Sequence, residues 1–455
     1  MVLEWVRGRL VVEGADPALA GELNPVMYRV HYDPSTDRVS RSSELVPLLR
    51  PSTEVRGVEA DPGAYRHLAL LEPEHGRALV RILEESCRPQ DYRPDFPWTL
   101  RPYQAEAAKA FERAGSLLVS APTGSGKTII GLYAAWRLRA RTLVLVPTRE
   151  LVDQWVRLAS RITDACPYER GPCTFTVATY QSFRRARQLS RGYCLMIADE
   201  GHHLPAEKWL EYMRAWLWPA RLVLSATPER PDGNHRLLLW FTLGRLWRIE
   251  YGELVEQGWL APLEVHVVEV EPANLVELER LESRYKTGKA LGMMAGKLRR
   301  MLERALAEDP AKEAAAVAVA RKLAEAGLKV IVYADYVDQC ERIASKLGAA
   351  VLHSRRSRWE RQRALAEFRT GLKRILVATS AGDEGIDIPD ADAVVMLSVP
   401  GHRQLVQRMG RILRPKPRAY AFLVLARRLE ERAVEKLTRA LELEGIPARV
   451  YRHQL

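Results

Sequence analysis

The chain has 455 residues, with 69 Lys and Arg against 57 Asp and Glu, and a formal net charge of +12. That length predicts about three domains of roughly 150 residues each, and the arginine-rich excess of cations favours a polyanionic partner such as nucleic acid. No apolar run reaches the roughly 18 residues of a membrane helix, and Glu4 and Arg7 stand where a signal peptide has its apolar core, so the expectation is a cytoplasmic protein.

Residues 1–87 carry alternating segments, Val6 to Val12 and Tyr28 to Tyr32, followed by helical spacing from His75 to Glu85. They predict a small α+β domain in which no motif carries chemistry; nucleic-acid gripping and partner packing both remain open. Residues 88–97 are rich in proline, which opposes helix and strand alike, and read as a linker. The five cysteines, Cys87, Cys166, Cys173, Cys194 and Cys340, include no C-x-x-C pair, which excludes a zinc ribbon or a redox motif. Cys194 reads as strand core. Cys166 and Cys173 flank a short loop; two free thiols is the expectation for an intracellular chain, and a bridge the alternative for a hyperthermophile.

Residues 98–272 alternate strand-like and helix-like segments. Leu100-Arg101-Pro102-Tyr103-Gln104 opens a helix, and the run Leu117 to Ser120 precedes the glycine-rich stretch Ala121 to Thr128. Strand, loop and helix in that order turn backbone N–H groups and a helix N-terminus toward phosphate oxygens. Thr123, Gly124, Ser125 and Gly126 would cradle the phosphates, Lys127 would reach the terminal ones, and Thr128 would hold magnesium. Ala121 stands where the strict pattern has glycine. Further strand-like runs are Thr142 to Val146, Phe175 to Thr179, Cys194 to Ala198, Arg221 to Ser225 and Leu263 to Val270. Such alternation indicates a parallel sheet covered on both faces. Gln104 could read an adenine edge or be a solvated helix residue.

Residues 273–310 are helical and charged, an inserted element that is either a solvated helix pair or a nucleic-acid contact. Residues 311–455 resume the alternation with Val330 to Tyr333, Ala349 to His353, Arg374 to Thr379, Ala393 to Leu397 and Ala419 to Leu425. This second α/β domain has no phosphate loop.

Asp199 and Glu200 follow a strand-like run and so fall at a strand's C-terminal end. Asp199 would hold magnesium through water and Glu200 would polarise the attacking water. His202 and His203 lack the further ligands of a zinc site, and His203 is expected to hydrogen-bond. Ser225 and Thr227, at another strand end, would couple the nucleotide to movement. Arg411 and Arg414, three residues apart, are expected on one side of a helical turn as fingers on the γ-phosphate.

These blocks, with Pro147 to Leu151, Thr179 to Ser182, Thr379 to Asp387 and Gln407 to Arg414, resemble a superfamily 2 helicase from about Leu100 to Arg414. Within it, Gly382 to Ala391 and Arg411-Ile412-Leu413-Arg414-Pro415 are most similar to the archaeal XPB-type DNA helicases. The resemblance implies two RecA-like parallel-sheet domains, an N-terminal damage-recognition-like domain and a thumb-like helical insertion. It implies a DNA-stimulated ATPase using ATP and Mg2+ on duplex or forked DNA, in nucleotide excision repair or promoter opening. A nuclease partner and a monomer or heterodimer go with it. Arg101, Gln104, Gly385, Asp387 and Gln407 would then contact the nucleotide, and Thr148, Arg149, Thr179, Gln181, Arg230, Asp232 and Thr379 the nucleic-acid backbone. The family's Arg-Glu-Asp element is here Arg230-Pro231-Asp232, from which weak unassisted strand separation is expected. The alternatives are an RNA helicase and an ATP-gated clamp that positions a nuclease.

Overall fold

The computed structural model describes residues 3–6, 9–13, 26–33, 38–45, 49–51, 57–60, 87–171, 173–183, 192–204, 220–226, 228, 235–290, 295–379, 391–443 and 446–454. They form two compact units, one of Met1–Val30, Arg41–Ala121 and Gly126–Ile249, the other of His31–Ser40, Pro122–Ser125 and Glu250–Leu455.

Six strands open the chain: β1 (Leu3–Val6), β2 (Arg9–Glu13), β3 (Val26–Asp33), β4 (Arg38–Leu45), β5 (Leu49–Pro51) and β6 (Gly57–Ala60). β1, β2, β6 and β5 pair in that order as an antiparallel sheet, and β3 with β4 forms a separate pair. The alternation read from Val6 to Val12 straddles two strands, because Val6 ends β1 and sits opposite Arg9 of β2. The helical spacing from His75 to Glu85 lies outside the described residues.

Next come β7 (Ser116–Ser120), β8 (Thr142–Val146), β9 (Ala165–Pro167), β10 (Phe175–Thr179), β11 (Leu195–Asp199), β12 (Ala220–Ser225) and β13 (Leu246–Arg248), an all-parallel sheet of order β13-β7-β12-β11-β8-β10-β9. Every residue of β7, β8, β10, β11 and β12 is buried. That is why they read as unbroken apolar runs: helices cover both faces of a parallel sheet.

The linker is fastened to this sheet unit. Tyr92 is buried and donates to the Ala140 carbonyl at 2.9 Å, while Arg93 N donates to Ile162 O at 2.7 Å and Trp136 Nε1 to Arg93 O at 2.9 Å. A disulfide joins Cys87 to Cys194, and a second joins Cys166 to Cys173. The free-thiol expectation for Cys166 and Cys173 is therefore corrected; Cys194, read as strand core, is buried directly before β11 and is also half of a bridge. Both pairs bring their Cα atoms within 6 Å, 5.8 and 5.9 Å, a separation that a bridge requires and that chain spacing alone does not reveal.

The other unit holds β14 (Leu263–Val270), β15 (Val330–Ala334), β16 (Ala350–Leu352), β17 (Ile375–Thr379), β18 (Ala393–Met396), β19 (Ala419–Ala426) and β20 (Ala448–Gln454). Their order is β16-β17-β15-β18-β19-β14-β20, all parallel. The run Leu263 to Val270, counted with the first sheet from its place in the chain, thus belongs to the second, between β19 and β20. Its register is continuous with β19, Leu263 opposite Ala419 through Val270 opposite Ala426. Helix Pro310–Glu325 lays Ala315, Ala316 and Ala320 on the sheet core of Val330, Val332, Val395 and Val424.

Between β14 and that helix stand two helices, Leu275–Ala290 and Ala295–Ala307, packed on each other. Asp309, 1% exposed, ties down both feet of this insertion. It caps the following helix by accepting from Ala311 N at 2.9 Å, and it also accepts from Ala273 N at 3.3 Å and Asn274 N at 3.4 Å. Among the described residues no helix is long and apolar enough to cross a membrane.

Candidate nucleotide and nucleic-acid site

Between β7 and helix Lys127–Leu138 the chain makes the phosphate-type loop. Gly124 and Gly126 take φ of +87° and +79°, a conformation that costs glycine nothing and other residues strain. A Cβ on Gly126 would also lie 2.6 Å from Gln104 Nε2. Gln104 is 4% exposed, donates to the Gly126 carbonyl at 3.5 Å and accepts from Arg101 N at 3.0 Å. It is a buried residue resting on the loop, which removes the solvated-helix alternative. Arg101 donates to the Tyr103 hydroxyl at 3.1 Å. Lys127, 8% exposed, donates to the carbonyl of Ala121 at 2.9 Å. Thr128 is half-buried in the first helical turn.

Asp199 ends β11, at the C-terminal edge where parallel sheets place their ligands. Both carboxylate oxygens have a fixed donor: Trp155 Nε1 reaches Oδ2 at 2.8 Å and Glu200 N reaches Oδ1 at 3.0 Å. Burial pushes the Asp199 carboxyl above the ordinary carboxylate range; the Trp155 hydrogen bond, the charge of Lys127 and the Glu200 N–H oppose it. Tyr180, also buried, donates to the Asp199 backbone carbonyl at 2.8 Å. Burial and the two carboxylates raise its phenol well above the usual value.

Glu200 has φ of +49°, and the chain then turns into the short helix Gly201–His203. Gly201 is required by close approach, since a Cβ there would fall 2.2 Å from Val223 Cγ1. The Ser225 hydroxyl is met by His202, whose Nδ1 lies 3.3 Å from it and 3.5 Å from Glu200 Oε2. His203, the residue expected to make such a bond, packs its ring 6.0 Å from that of Tyr180 and 4.4 Å from that of His202. Ala121 N donates to Ser225 O at 3.1 Å and so joins the loop to the end of β12. The sequence reading missed His202, Tyr180 and Trp155. For His202 the signal was present in its place two residues after Glu200; a buried Tyr or Trp carries no such mark.

Thr148 and Arg149 follow β8, and Thr179 ends the neighbouring β10, so these proposed backbone contacts share one edge of the sheet. Thr148 caps helix Arg149–Ala159, its hydroxyl oxygen accepting from Leu151 N at 3.4 Å. Thr179 Oγ1 accepts from Ser182 N at 3.0 Å, and Gln181 is exposed.

In the second unit Thr379 ends β17, 2% exposed, with no hydrogen-bond partner for Oγ1 among the described residues. The helix bearing the basic cluster is His402–Gly410, with Arg411 at its C-cap and Arg414 exposed in the bend beyond. The expectation that the two arginines share one side of a helical turn is therefore corrected: their spacing is helical but the helix has already ended. Gly385, Asp387, Thr227, Arg230 and Asp232 lie outside the described residues, as does the side chain of Gln407.

No group of three or more His, Cys, Asp or Glu able to hold a metal occurs among the described residues. A magnesium ion that arrives with a nucleotide does not need one, because it binds through one or two protein groups, phosphates and water. The buried Asp199 carboxylate, at the C-terminal end of β11 and within reach of the charge of Lys127, fits that kind of ion.

Two family models match, "Type III restriction enzyme, res subunit" over residues 98–230 and "Helicase conserved C-terminal domain" over residues 312–416. The chain is 34% identical over 352 residues to the "Putative DNA 3'-5' helicase Rad25" of Halobacterium salinarum, covering 74% of this chain and 56% of that one. It is 33% identical to the "DNA 3'-5' translocase XPB2" of Sulfurisphaera tokodaii, covering 70% and 79% respectively. With the "DNA 3'-5' helicase XPB" of Kineococcus radiotolerans it shares 31% identity over 84% and 70%. The helicase domain of Pyrococcus furiosus Hef covers 74% of this chain and 98% of its own, with TM-score 0.49 and 19% identity.

Proposed function

The chain belongs to the XPB/Rad25 family of DNA helicases, and on that premise we propose that it is an ATP-dependent DNA helicase or double-strand translocase of 3'-5' polarity. The observation that carries this reading is geometric: a loop with Gly124 and Gly126 at positive φ leads into the buried Lys127 at a helix start, and the buried Asp199 ends a strand of the same parallel sheet. In this scheme Lys127 exchanges the Ala121 carbonyl for the terminal phosphates. Thr128 and Asp199 are the residues that would hold Mg2+, which supplies charge neutralisation on the phosphate oxygens. Glu200 takes the proton of the attacking water, and Arg411 and Arg414 supply positive charge for the transition state. Gln104, with Arg101, holds the adenine side.

Thr148, Arg149, Thr179, Gln181 and Thr379 grip the backbone without reading bases, as a translocase requires. His202, with His203, couples the hydrolysis carboxylate to Ser225. With Arg230-Pro231-Asp232 in place of an acidic element, strand separation by this chain alone is weak and translocation persists. Its setting is DNA repair or promoter opening in the cytoplasm, beside a nuclease partner.

One experiment decides between DNA and RNA: the ATPase rate with duplex DNA, forked DNA, single-stranded DNA and RNA at one fixed salt concentration, since salt sets phosphate affinity. Duplex and forked DNA are expected to stimulate most. Greater stimulation by RNA overturns the assignment.

A further inference from the structure

Trp155 is 0% exposed, in the middle of helix Arg149–Ala159, and its indole N–H is given to Oδ2 of Asp199 at 2.8 Å. A buried indole must find an acceptor, but a backbone carbonyl would serve. Here the acceptor is the carboxylate assigned to magnesium. Two neighbours fix the ring. Phe175 of β10 stacks on it at 6.2 Å and 20°. On the loop-bearing helix Lys127–Leu138, Gly131 leaves it room, since a Cβ at that position would lie 2.7 Å from the ring's Cη2. Glycine is a poor helix former, and the space for this ring explains its use there.

The helix that carries Trp155 begins with Thr148 and Arg149, six residues and roughly 9 Å of helix away. One rigid element thus joins the proposed phosphate-gripping end to the donor on Asp199. Because Glu200 N already holds Oδ1, the Trp155 bond to Oδ2 removes the last rotational freedom of the carboxylate.

We propose that Trp155 is a positioning residue that sets the orientation of Asp199 for magnesium and transmits nucleic-acid engagement at Thr148 and Arg149 to it. This rests on the helicase reading above. A small shift of the helix along its axis moves the indole N–H, and with it the carboxylate, while the P-loop side stays in register through Gly131.

The test compares wild type with Trp155→Phe, which keeps a ring against Phe175 and Gly131 but has no N–H, and with Phe175→Leu, which loosens the ring and keeps the N–H. Affinity for a fluorescent ATP analogue is measured with and without Mg2+, alongside kcat, KM and the ratio of ATPase rates with and without duplex DNA. Trp155→Phe is expected to bind the analogue like wild type without Mg2+, to lose at least threefold of the gain that Mg2+ confers, and to lose most of its DNA stimulation through kcat. Phe175→Leu is expected to melt earlier and to keep both the Mg2+ gain and the DNA ratio. If Trp155→Phe keeps both, or if the two variants lose them equally, the proposal is overturned. Should Trp155→Phe not fold, Gly131→Ala carries the test by pushing the ring, and its N–H, off Asp199: it is expected to lose the Mg2+ gain and the DNA ratio, and keeping both overturns the proposal. A wild-type protein that DNA does not stimulate removes the helicase reading, whereas failure of the positioning role shows only in the variants.

Discussion

The ammonium of Lys127 donates at 2.9 Å to the carbonyl of Ala121, the residue that stands where the phosphate-loop pattern has its first glycine. The contact is to backbone, so the alanine side chain does not interfere, and Ala121 is itself buried. Ala121→Gly is expected to leave ATP turnover within about twofold of wild type. Lys127→Ala removes the cation proposed to meet the terminal phosphates, and is expected to lower kcat at least a hundredfold, roughly the cost of deleting one transition-state donor. A coupled ATPase assay on the two variants checks the pair.

Gly201→Ala puts a methyl group 2.2 Å from Val223 Cγ1 in a core with no slack. Overpacking of this kind costs about 1–3 kcal/mol, and the strain falls on the turn that presents Glu200 and His202. The variant is expected to melt several degrees lower and to lose ATPase activity beyond what its folded fraction explains. Calorimetry and rate measurements on the same preparation separate the two effects.

Glu341 lies between His353 Nε2, at 2.8 Å, and the Arg356 guanidinium, at 2.7 Å. Burial lifts its carboxyl, but donation from His353 and Arg356 outweighs this and holds it below the ordinary value of 4.5. A depressed folded-state pKa gives stability that is present above the unfolded pKa and lost as pH falls through the folded one. Glu341→Gln is therefore expected to be less stable at pH 7, by roughly 0.5–1 kcal/mol for so exposed a pair, and the deficit should shrink below pH 4.5. Urea unfolding at pH 7 and pH 3.5 measures it; a deficit that grows on acidification contradicts the assignment.

Four of the five cysteines are paired, and the remaining thiol, Cys340, is buried and pushed up to about 12 by that burial. Iodoacetamide at pH 8 is expected to label no cysteine in the folded protein, one after denaturation without reductant, and all five after reduction. Replacing Cys87 and Cys194 together by serine should cost about 2–4 kcal/mol. Mass spectrometry and a melting curve check both.

The sheet strands were legible because burial on both faces leaves unbroken apolar runs such as Thr142 to Val146 and Leu195 to Ala198. Their order was not legible, since nothing local tells Leu263 to Val270 which sheet will accept it. β13, of three residues, and the largely exposed β20 lacked the apolar signal altogether. At the site, the proposed residues Lys127, Thr128, Asp199 and Glu200 stood out by motif, from residue type and spacing alone. Trp155 and His202 did not, because their work depends on which side chain packs across from them. The cysteine pairing failed for the same reason: Cys87 and Cys194 are 107 residues apart.

β14 is made early and used late. Its neighbours β19 and β20 leave the ribosome roughly 150 and roughly 180 residues further on, which is on the order of 10–30 s at ordinary elongation rates. Through that interval Val265, Val267 and Val268, fully enclosed in the finished sheet, have no strand to pair with. An unpaired apolar strand is a template for other chains. This segment is therefore expected to be a point of chaperone demand during synthesis, from its own emergence until β19 and β20 follow.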